Sequence, residues 1–250
     1  MEKTKRLILL SHCDDEIFLL PFLLDKNAES TVCFFTTRSI KSNSKNVRRQ
    51  EAVQASSFLN SFQKLEAIHL EPEIFDGRIY KDFSQTNFDF LSQIIQRVNP
   101  DELLTLAFEG GHHDHDAVEA ISRALCNTFR RKLITCPAYS SSKISRNLFR
   151  VMKVEGPTET ISTRRILNIY AAARLMLIYR SQLKTWIGLA PFIIIRYAFF
   201  PYRIIQVDSS FELKRVKRCL YEKRNRAVQD EVLAELNQLM LDVKRNNSGG

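Results

Sequence analysis

Short, unbroken apolar runs alternate with stretches of helical spacing over roughly the first 135 residues. Leu7-Ile8-Leu9-Leu10, within Arg6–Ser11, has the length of a buried strand, and Ile17–Leu24 behind it reads as a helix. Thr31–Thr37, rich in β-branched and aromatic residues, is a second strand. After a polar loop at Lys41–Asn46, the positions Val47, Ala52, Val53, Ala55, Phe58 and Leu59 predict a helix from about Val47 to Asn60. Ala67–Leu70 is a third strand, with His69 as a strand-end or core residue, and Phe75–Arg78 marks a turn. Phe88–Val98 is an amphipathic helix stopped by Asn99-Pro100. Glu102–Phe108 follows as a fourth strand and His115–Arg131 as a helix, with Ala117, Val118, Ile121, Leu125 and Phe129 inward. This alternation predicts an α/β fold, a Rossmann-like, mostly parallel sheet flanked by helices that binds ligands beyond the C-terminal ends of its strands.

Past Ser140 the pattern changes. Lys143–Glu155 has room for a strand, and Thr163–Lys184 reads as a helix. Trp186–Ile195 is an apolar run between Lys184 and Arg196, about half the length that a membrane-spanning helix needs. It suits a core helix capping the sheet. With the aromatics and arginines of residues 196–203 it also suits a surface that rests on a bilayer. Phe211–Lys244 reads as a charged amphipathic helical tail, and Asn246–Gly250 as a frayed end.

Composition narrows the class. With 250 residues, 44% of them hydrophobic, the chain can bury one sizeable core. The net charge of +9 is unevenly placed: residues 1–142 carry 17 Lys and Arg against 19 Asp and Glu, and residues 143–250 carry 20 against 9. A basic second half favours phosphate-bearing partners, whether a nucleotide-linked or lipid-phosphate substrate, an anionic membrane surface or nucleic acid; plain solubility charge is the alternative. Five scattered cysteines without CxxC spacing read as reduced thiols of a cytosolic protein. The apolar part of Arg6–Leu10 is too short for a signal peptide, so a cytoplasmic protein is expected, with the inner membrane face as a place of contact. No GxGxxG follows a strand and no GxxxxGK[ST] occurs, which leaves dinucleotide and P-loop chemistry without support.

Two polar stretches fall at predicted strand ends. Ser11-His12-Cys13-Asp14-Asp15-Glu16 sets an imidazole and three carboxylates between buried segments, where like charges repel unless a cation sits among them. Gly110-Gly111-His112-His113-Asp114-His115-Asp116 supplies further imidazoles, with His112 and His115 spaced to point toward one site. His12, Asp15 and one of these two histidines make a His₂-carboxylate set with an open position, the pattern of a catalytic zinc site. Asp14 is then a base beside the activated water. Magnesium-assisted phosphoryl transfer through Asp14 and Asp15 fits less well, because imidazole favours zinc over magnesium.

These stretches resemble the LmbE-like, or PIG-L, metal-dependent N-acetylglucosaminyl deacetylases. The first motif of that family, Ala/Thr-His-Pro-Asp-Asp-Glu, matches Ser11–Glu16 with Cys13 in the place of Pro. The second, Gly-His-Pro-Asp-His, matches Gly111–His115 with His113 in the place of Pro. An Arg-x-x-Glu helix is matched by Arg48–Glu51, an Asp-Gly turn by Asp76-Gly77, and a Ser-Gln pair by Ser181-Gln182. Gly110 stands where some members carry a Tyr that assists the reaction. The resemblance covers about residues 5–185. It implies a deacetylase domain over residues 1–185 and a basic, largely helical extension, 186–250, packed on the same domain.

Carried over by position, the resemblance implies that His12, Asp15 and His115 hold a divalent metal, zinc first and iron(II) next. Asp14 is the general base, and His112, as imidazolium, stabilises the oxyanion or protonates the leaving amine. Arg48 and Asp76 contact the sugar or support the ligands, Glu16 starts a helix, and Asp114 and Asp116 orient the imidazoles or the helix entry. The implied substrate is an N-acetylated sugar or glycoconjugate, with a phosphate or lipid link suggested by the basic half and no nucleic acid expected. The alternative is a non-catalytic sugar- or phosphate-binding protein on the same scaffold.

Overall fold

The computed structural model describes residues 2–38, 45–141, 149–153, 158–207, 213, 215–216 and 219–248. The first apolar run forms β1 (Thr4–Leu10), followed by a 3-10 turn at Asp15–Leu19 and one helical turn, α1 (Leu20–Leu23). Then come β2 (Ala28–Arg38), α2 (Lys45–Asn60), β3 (Lys64–Phe75), α3 (Ile79–Asp82) and α4 (Gln85–Val98). β4 (Glu102–Leu106), α5 (His113–Phe129) and β5 (Lys132–Cys136) complete the alternating part. The rest comprises the antiparallel pair β6 (Tyr139–Ser141) and β7 (Phe149–Val151), then β8 (Glu159–Ile161), α6 (Arg165–Ile178) and α7 (Leu183–Phe199). It ends with β9 (Tyr202–Val207), α8 (Leu220–Lys223) and α9 (Gln229–Ser248).

The main sheet has the order β3-β2-β1-β4-β5-β9-β8. Its first five strands are parallel, and β9 and β8 add antiparallel at one edge. The expected fold class is therefore the observed one. Chain direction across the sheet reverses between β1 and β4, so the loops leaving their C-terminal ends part and open a crevice. Successive residues of β1 enter different layers. Ile8 and Leu10 pack with Val32, Phe34, Leu104 and helices α1, α2, α6 and α7, whereas Leu7 and Leu9 pack with Cys33, Phe35, Leu103 and helices α4, α5 and α9. Two covered faces leave no solvent side, which is why these strands read as continuous apolar runs.

Several elements differ from their expected form. The helix at Ile17–Leu24 is split into a 3-10 turn and α1, with Pro21 opening the second piece. The third strand is longer than the Ala67–Leu70 core, and His69 within it is half-buried with its ring 5.7 Å from Phe34. The helix expected over Thr163–Lys184 ends at Ile178, because the chain leaves helical geometry at Tyr179 (ψ 59°) to bury that phenol against Glu16. Trp186–Ile195 lies within α7, whose buried row caps one face of the sheet. β5 and β9 are strands outside the elements predicted from the sequence. The tail at Phe211–Lys244 is not one helix: Asn225, with φ 53°, separates α8 from α9. Residues 41–44 of the polar loop, most of the strand expected at Lys143–Glu155, residues 211–212, 214 and 217–218 of the tail, and 249–250 lie outside the described residues.

All five cysteines are buried, and burial pushes their thiols up, Cys126 and Cys136 to about 12 and Cys219 to about 11. Thiolate is the reactive form. The folded protein is expected to show no fast reaction with a chromogenic disulfide at pH 8, and five equivalents after unfolding. A rapid equivalent before unfolding would contradict this burial.

Candidate active site

The loop after β1 folds back on itself. Thr36 fastens its start, donating from both its amide (3.0 Å) and its Oγ1 (2.9 Å) to the Ser11 carbonyl. The His12 amide donates to Asp15 Oδ2 at 2.9 Å, which brings the imidazole and the carboxylate to one side. Cys13, where the motif it resembles has proline, is buried with its Sγ 3.7 Å from the Thr36 carbonyl, so a side-chain contact takes over where a ring would stiffen the backbone.

The second loop leaves β4, the strand beside β1, and enters α5. Asp116 Oδ1 accepts from the amides of Glu109 (3.0 Å) and Gly110 (3.2 Å) and so tightens the entry. Gly110 has φ +66°, and a Cβ there would stand 3.2 Å from Cys219 Cα; the Cys219–Leu220 segment is packed over it, with the Leu220 amide donating to the Gly110 carbonyl. No side chain, a tyrosine included, fits at that place without moving the C-terminal segment. Gly111 is tighter still, since a Cβ would fall 1.9 Å from the Tyr139 carbonyl oxygen.

Because β1 and β4 are neighbours, side chains about 100 positions apart meet. Four of the five histidines of the chain gather here, all buried. His115 Nε2 lies 3.1 Å from Asp15 Oδ1, and His12 Nδ1 lies 3.3 Å from Asp15 Oδ2. The second nitrogen of His12, Nε2, faces Asp76 Oδ1 at 3.2 Å and Asp114 Oδ2 at 3.3 Å. Asp114 is fully buried and also accepts from the amides of Gly77 (2.6 Å) and Ile79 (3.2 Å), so it binds the Asp-Gly turn to the site. His113, the other proline replacement, holds the same turn through Nε2 and the Gly77 carbonyl at 3.1 Å and stacks on His112 with ring centroids 4.6 Å apart. Both replacements thus exchange backbone stiffness for side-chain ties.

Burial opposes charge on all of these groups, and the neighbours decide which stay charged. Around His12 burial is outweighed by Asp76 and Asp15, and the imidazole holds its proton more strongly than usual. Burial is outweighed again at Asp15, where His115 and His12 keep the carboxyl well below the ordinary range. Asp14 has no such support: burial, then the charge of Asp15, pushes it up to about 6. Two adjacent carboxylates are therefore split, one held ionised and one able to exchange a proton near neutrality. Burial and the neighbouring His12 lower the proton affinity of His112, whose Nδ1 already accepts from the Asp114 amide at 3.2 Å. Both features favour a neutral His112 ring, with Nε2 as its donor, over the imidazolium expected from the sequence.

His12, Asp14, Asp15, Arg48, Asp76 and His112 all line one cavity of about 430 Å³, and His115 sits behind Asp15. Arg48 and Asp76 are partly committed to each other, with Nη1 and Oδ2 3.5 Å apart. Ligand atoms of His12, Asp15 and His115 lie within 4.8 Å of one another, as do those of His12, Asp76, His112 and Asp114, so either set could hold a metal ion. The cavity also takes in Tyr139, Gln182, Lys184, Trp186, Arg224 and Arg226. Of these only Gln182 belongs to a sequence motif, the Ser-Gln pair; Lys184 and Trp186 stand out in the sequence only at the start of the apolar run.

The Arg-x-x-Glu helix and the Ser-Gln pair meet in space. Glu51 accepts from the Ser181 amide (2.9 Å) and hydroxyl (2.5 Å), which sets Gln182 at the cavity wall. Glu51→Ala is expected to destabilise the protein by about 1.5–3 kcal/mol in urea unfolding, the range for hydrogen bonds to a charged group. Ser181→Ala should cost less, since the backbone amide still reaches Glu51. Equal losses in the two variants would contradict the anchoring.

The mostly parallel sheet flanked by helices is the fold of solved deacetylase structures. Teicoplanin deacetylase in complex with bog superposes with a TM-score of 0.59 at 14% identity, over 83% of this chain and 100% of that one. A structure described as the zinc-inhibited form of teicoplanin deacetylase gives 0.57 at 14%, over 83% and 100%. An antimicrobial pseudoaglycone deacetylase gives 0.57 at 15%, over 82% and 99%. At the level of sequence, the PIG-L family model, GlcNAc-PI de-N-acetylase, matches residues 7–126, and the resemblance read from the motifs holds over that segment. No curated protein matches the chain.

Proposed function

We propose that the protein is a metal-dependent hydrolase that removes the acetyl group from an N-acetylated sugar or glycoconjugate. The observation that carries this reading is the buried triangle of His12, Asp15 and His115 with Asp14 beside it in the cavity wall. The match to the PIG-L model and the likeness to deacetylase structures support it.

The donor chemistry fits a divalent metal, zinc first and iron(II) next. Two imidazoles and one carboxylate form the set of an open catalytic site. His12 turns its second nitrogen to carboxylates, the outer support that orients a ligating imidazole. The competing set is less available, because both oxygens of Asp114 and Nδ1 of His112 already accept from backbone amides, whereas Asp15 accepts such a bond at Oδ2 alone. Bound at His12, Asp15 and His115, the metal would supply Lewis acidity toward water and the amide carbonyl.

The remaining work falls to the chain. Asp14, ionised, takes a proton from the attacking water. His112 donates from Nε2 to the oxygen on which negative charge develops, a role in which one donor is worth about 2.7–4 kcal/mol. The departing nitrogen must be protonated, and Asp14 returns the proton it took. Lys184, Arg224 and Arg226 bring positive charge to the cavity lining, which supports an anionic, phosphate-linked substrate.

The test is metal content of protein purified without chelator, together with acetate and free-amine release from a panel of N-acetylhexosamine conjugates. About one zinc or iron per chain with release of both products is the expected outcome. Metal without turnover on any conjugate would favour the binding-protein alternative, and no metal would overturn the ligand assignment.

A further inference from the structure

α7 is apolar on two sides. Trp186, Leu189, Ile193 and Tyr197 are buried in the core. Leu183, Ile187, Pro191, Ile195 and Phe199 step four residues at a time along the helix, and each is exposed, Ile187 at 70% and Phe199 at 73%. A helix facing water on its outer side normally presents charged or polar residues there. α6, which packs along α7, shows the same departure, with Ile166 86% exposed and Tyr170, Ala173 and Leu177 exposed in its later turns. Arg165 Nη1 reaches the Ala198 carbonyl at 3.4 Å and joins the start of α6 to the end of α7.

The charges carried by α6, α7 and the segments that join them have one sign. Residues 160–207 contain seven Lys and Arg and no Asp or Glu. Arg164, Arg165, Arg174, Arg180, Lys184 and Arg203 are exposed. Exposed isoleucine, leucine and phenylalanine with cations and no acids are complementary to a sheet of anionic headgroups over hydrocarbon. At about 25 Å, α7 is short for a crossing, and no helix among the described residues is long and apolar enough to cross a membrane. The helix would lie in the interface plane instead.

We propose that the α6–α7 face docks on the surface of an anionic lipid bilayer. α7 also lines the cavity with Lys184, Trp186 and Leu189, so docking brings the cavity to the headgroup layer. That consequence rests on the proposed hydrolase activity and makes its substrate a glycoconjugate presented at a membrane; the docking itself does not depend on it.

The test is co-sedimentation of the full chain with vesicles of phosphatidylcholine, alone or mixed with phosphatidylglycerol, at moderate salt. Binding to the mixed vesicles is expected to be at least about tenfold tighter than to phosphatidylcholine alone, and to weaken as salt rises. The double variant Ile187→Glu with Phe199→Glu should stay in the supernatant while keeping its circular dichroism, thermal midpoint and turnover of a water-soluble conjugate. Failure of the wild type to sediment, equal binding to neutral vesicles, or unchanged binding of the double variant would each overturn the proposal. So would a wild-type dimer that the double variant dissolves, since a second copy would then cover the face. Vesicle binding without acetate release would sink the hydrolase reading and leave the docking intact; acetate release without vesicle binding would do the reverse.

Discussion

Asp14→Ala is expected to lower amide hydrolysis by about 10²–10⁴-fold while bound metal is retained, the range for loss of a positioned general base. Asp14 stands in the cavity wall next to Asp15, and the His12–Asp15–His115 triangle does not include it. Its removal therefore leaves the three donors and their tie through Asp15 in place. The pH profile should follow the same residue. A base acts only when ionised, so kcat/KM rises with pH through an acid limb. In the metal-free site Asp14 lies at about 6 because of burial and the charge of Asp15. A cation held by Asp15 adds positive charge beside it and moves the limb to or below that value. The measurement is single-turnover acetate release across pH with metal content determined in parallel. Metal loss in the Asp14→Ala variant, or an acid limb that survives in Asp14→Asn, would remove Asp14 from the role of base.

His115→Ala is expected to abolish both metal retention and turnover. Asp15 loses the imidazole 3.1 Å from its Oδ1, and His12 with Asp15 alone makes a two-donor site. The loss in affinity should exceed the roughly 10–100-fold that removal of an outer partner costs. Asp114→Asn, which alters the partner of His12 Nε2 but no proposed ligand, supplies that milder reference. Equilibrium dialysis against zinc with both variants checks the order of effects. If Asp114→Asn loses more metal than His115→Ala, the ion belongs in the set formed by His12, Asp76, His112 and Asp114.

Much of the fold was legible because its signals are local. Unbroken apolar runs of strand length, separated by helical spacing, report strands covered on both faces, and that condition nearly defines a parallel sheet with helices on either side. Where the strand carried little of this signal it was missed. β9 mixes Tyr202 and Arg203 with Ile204 and Gln206, a composition equally suited to a surface segment. Only its pairing with β5 and β8 makes it a strand of the main sheet.

The sequence by itself determined which chemistry the chain carries. An Asp-Asp pair behind a histidine, and three histidines within four positions at the next such loop, are visible without any fold because ligand type and spacing are covalent facts. The tertiary structure decided how those groups divide the work. Adjacency of β1 and β4 sets His115 on Asp15, and the Asp76-Gly77 turn reaches the site through Asp114 and His113. Burial, with His115 brought onto Asp15 from 100 positions away, separates the proton affinities of Asp14 and Asp15, and burial with His12 lowers that of His112. Tyr139, Arg224 and Arg226 join the cavity from segments with no motif, since proximity in space leaves no periodic trace along the chain.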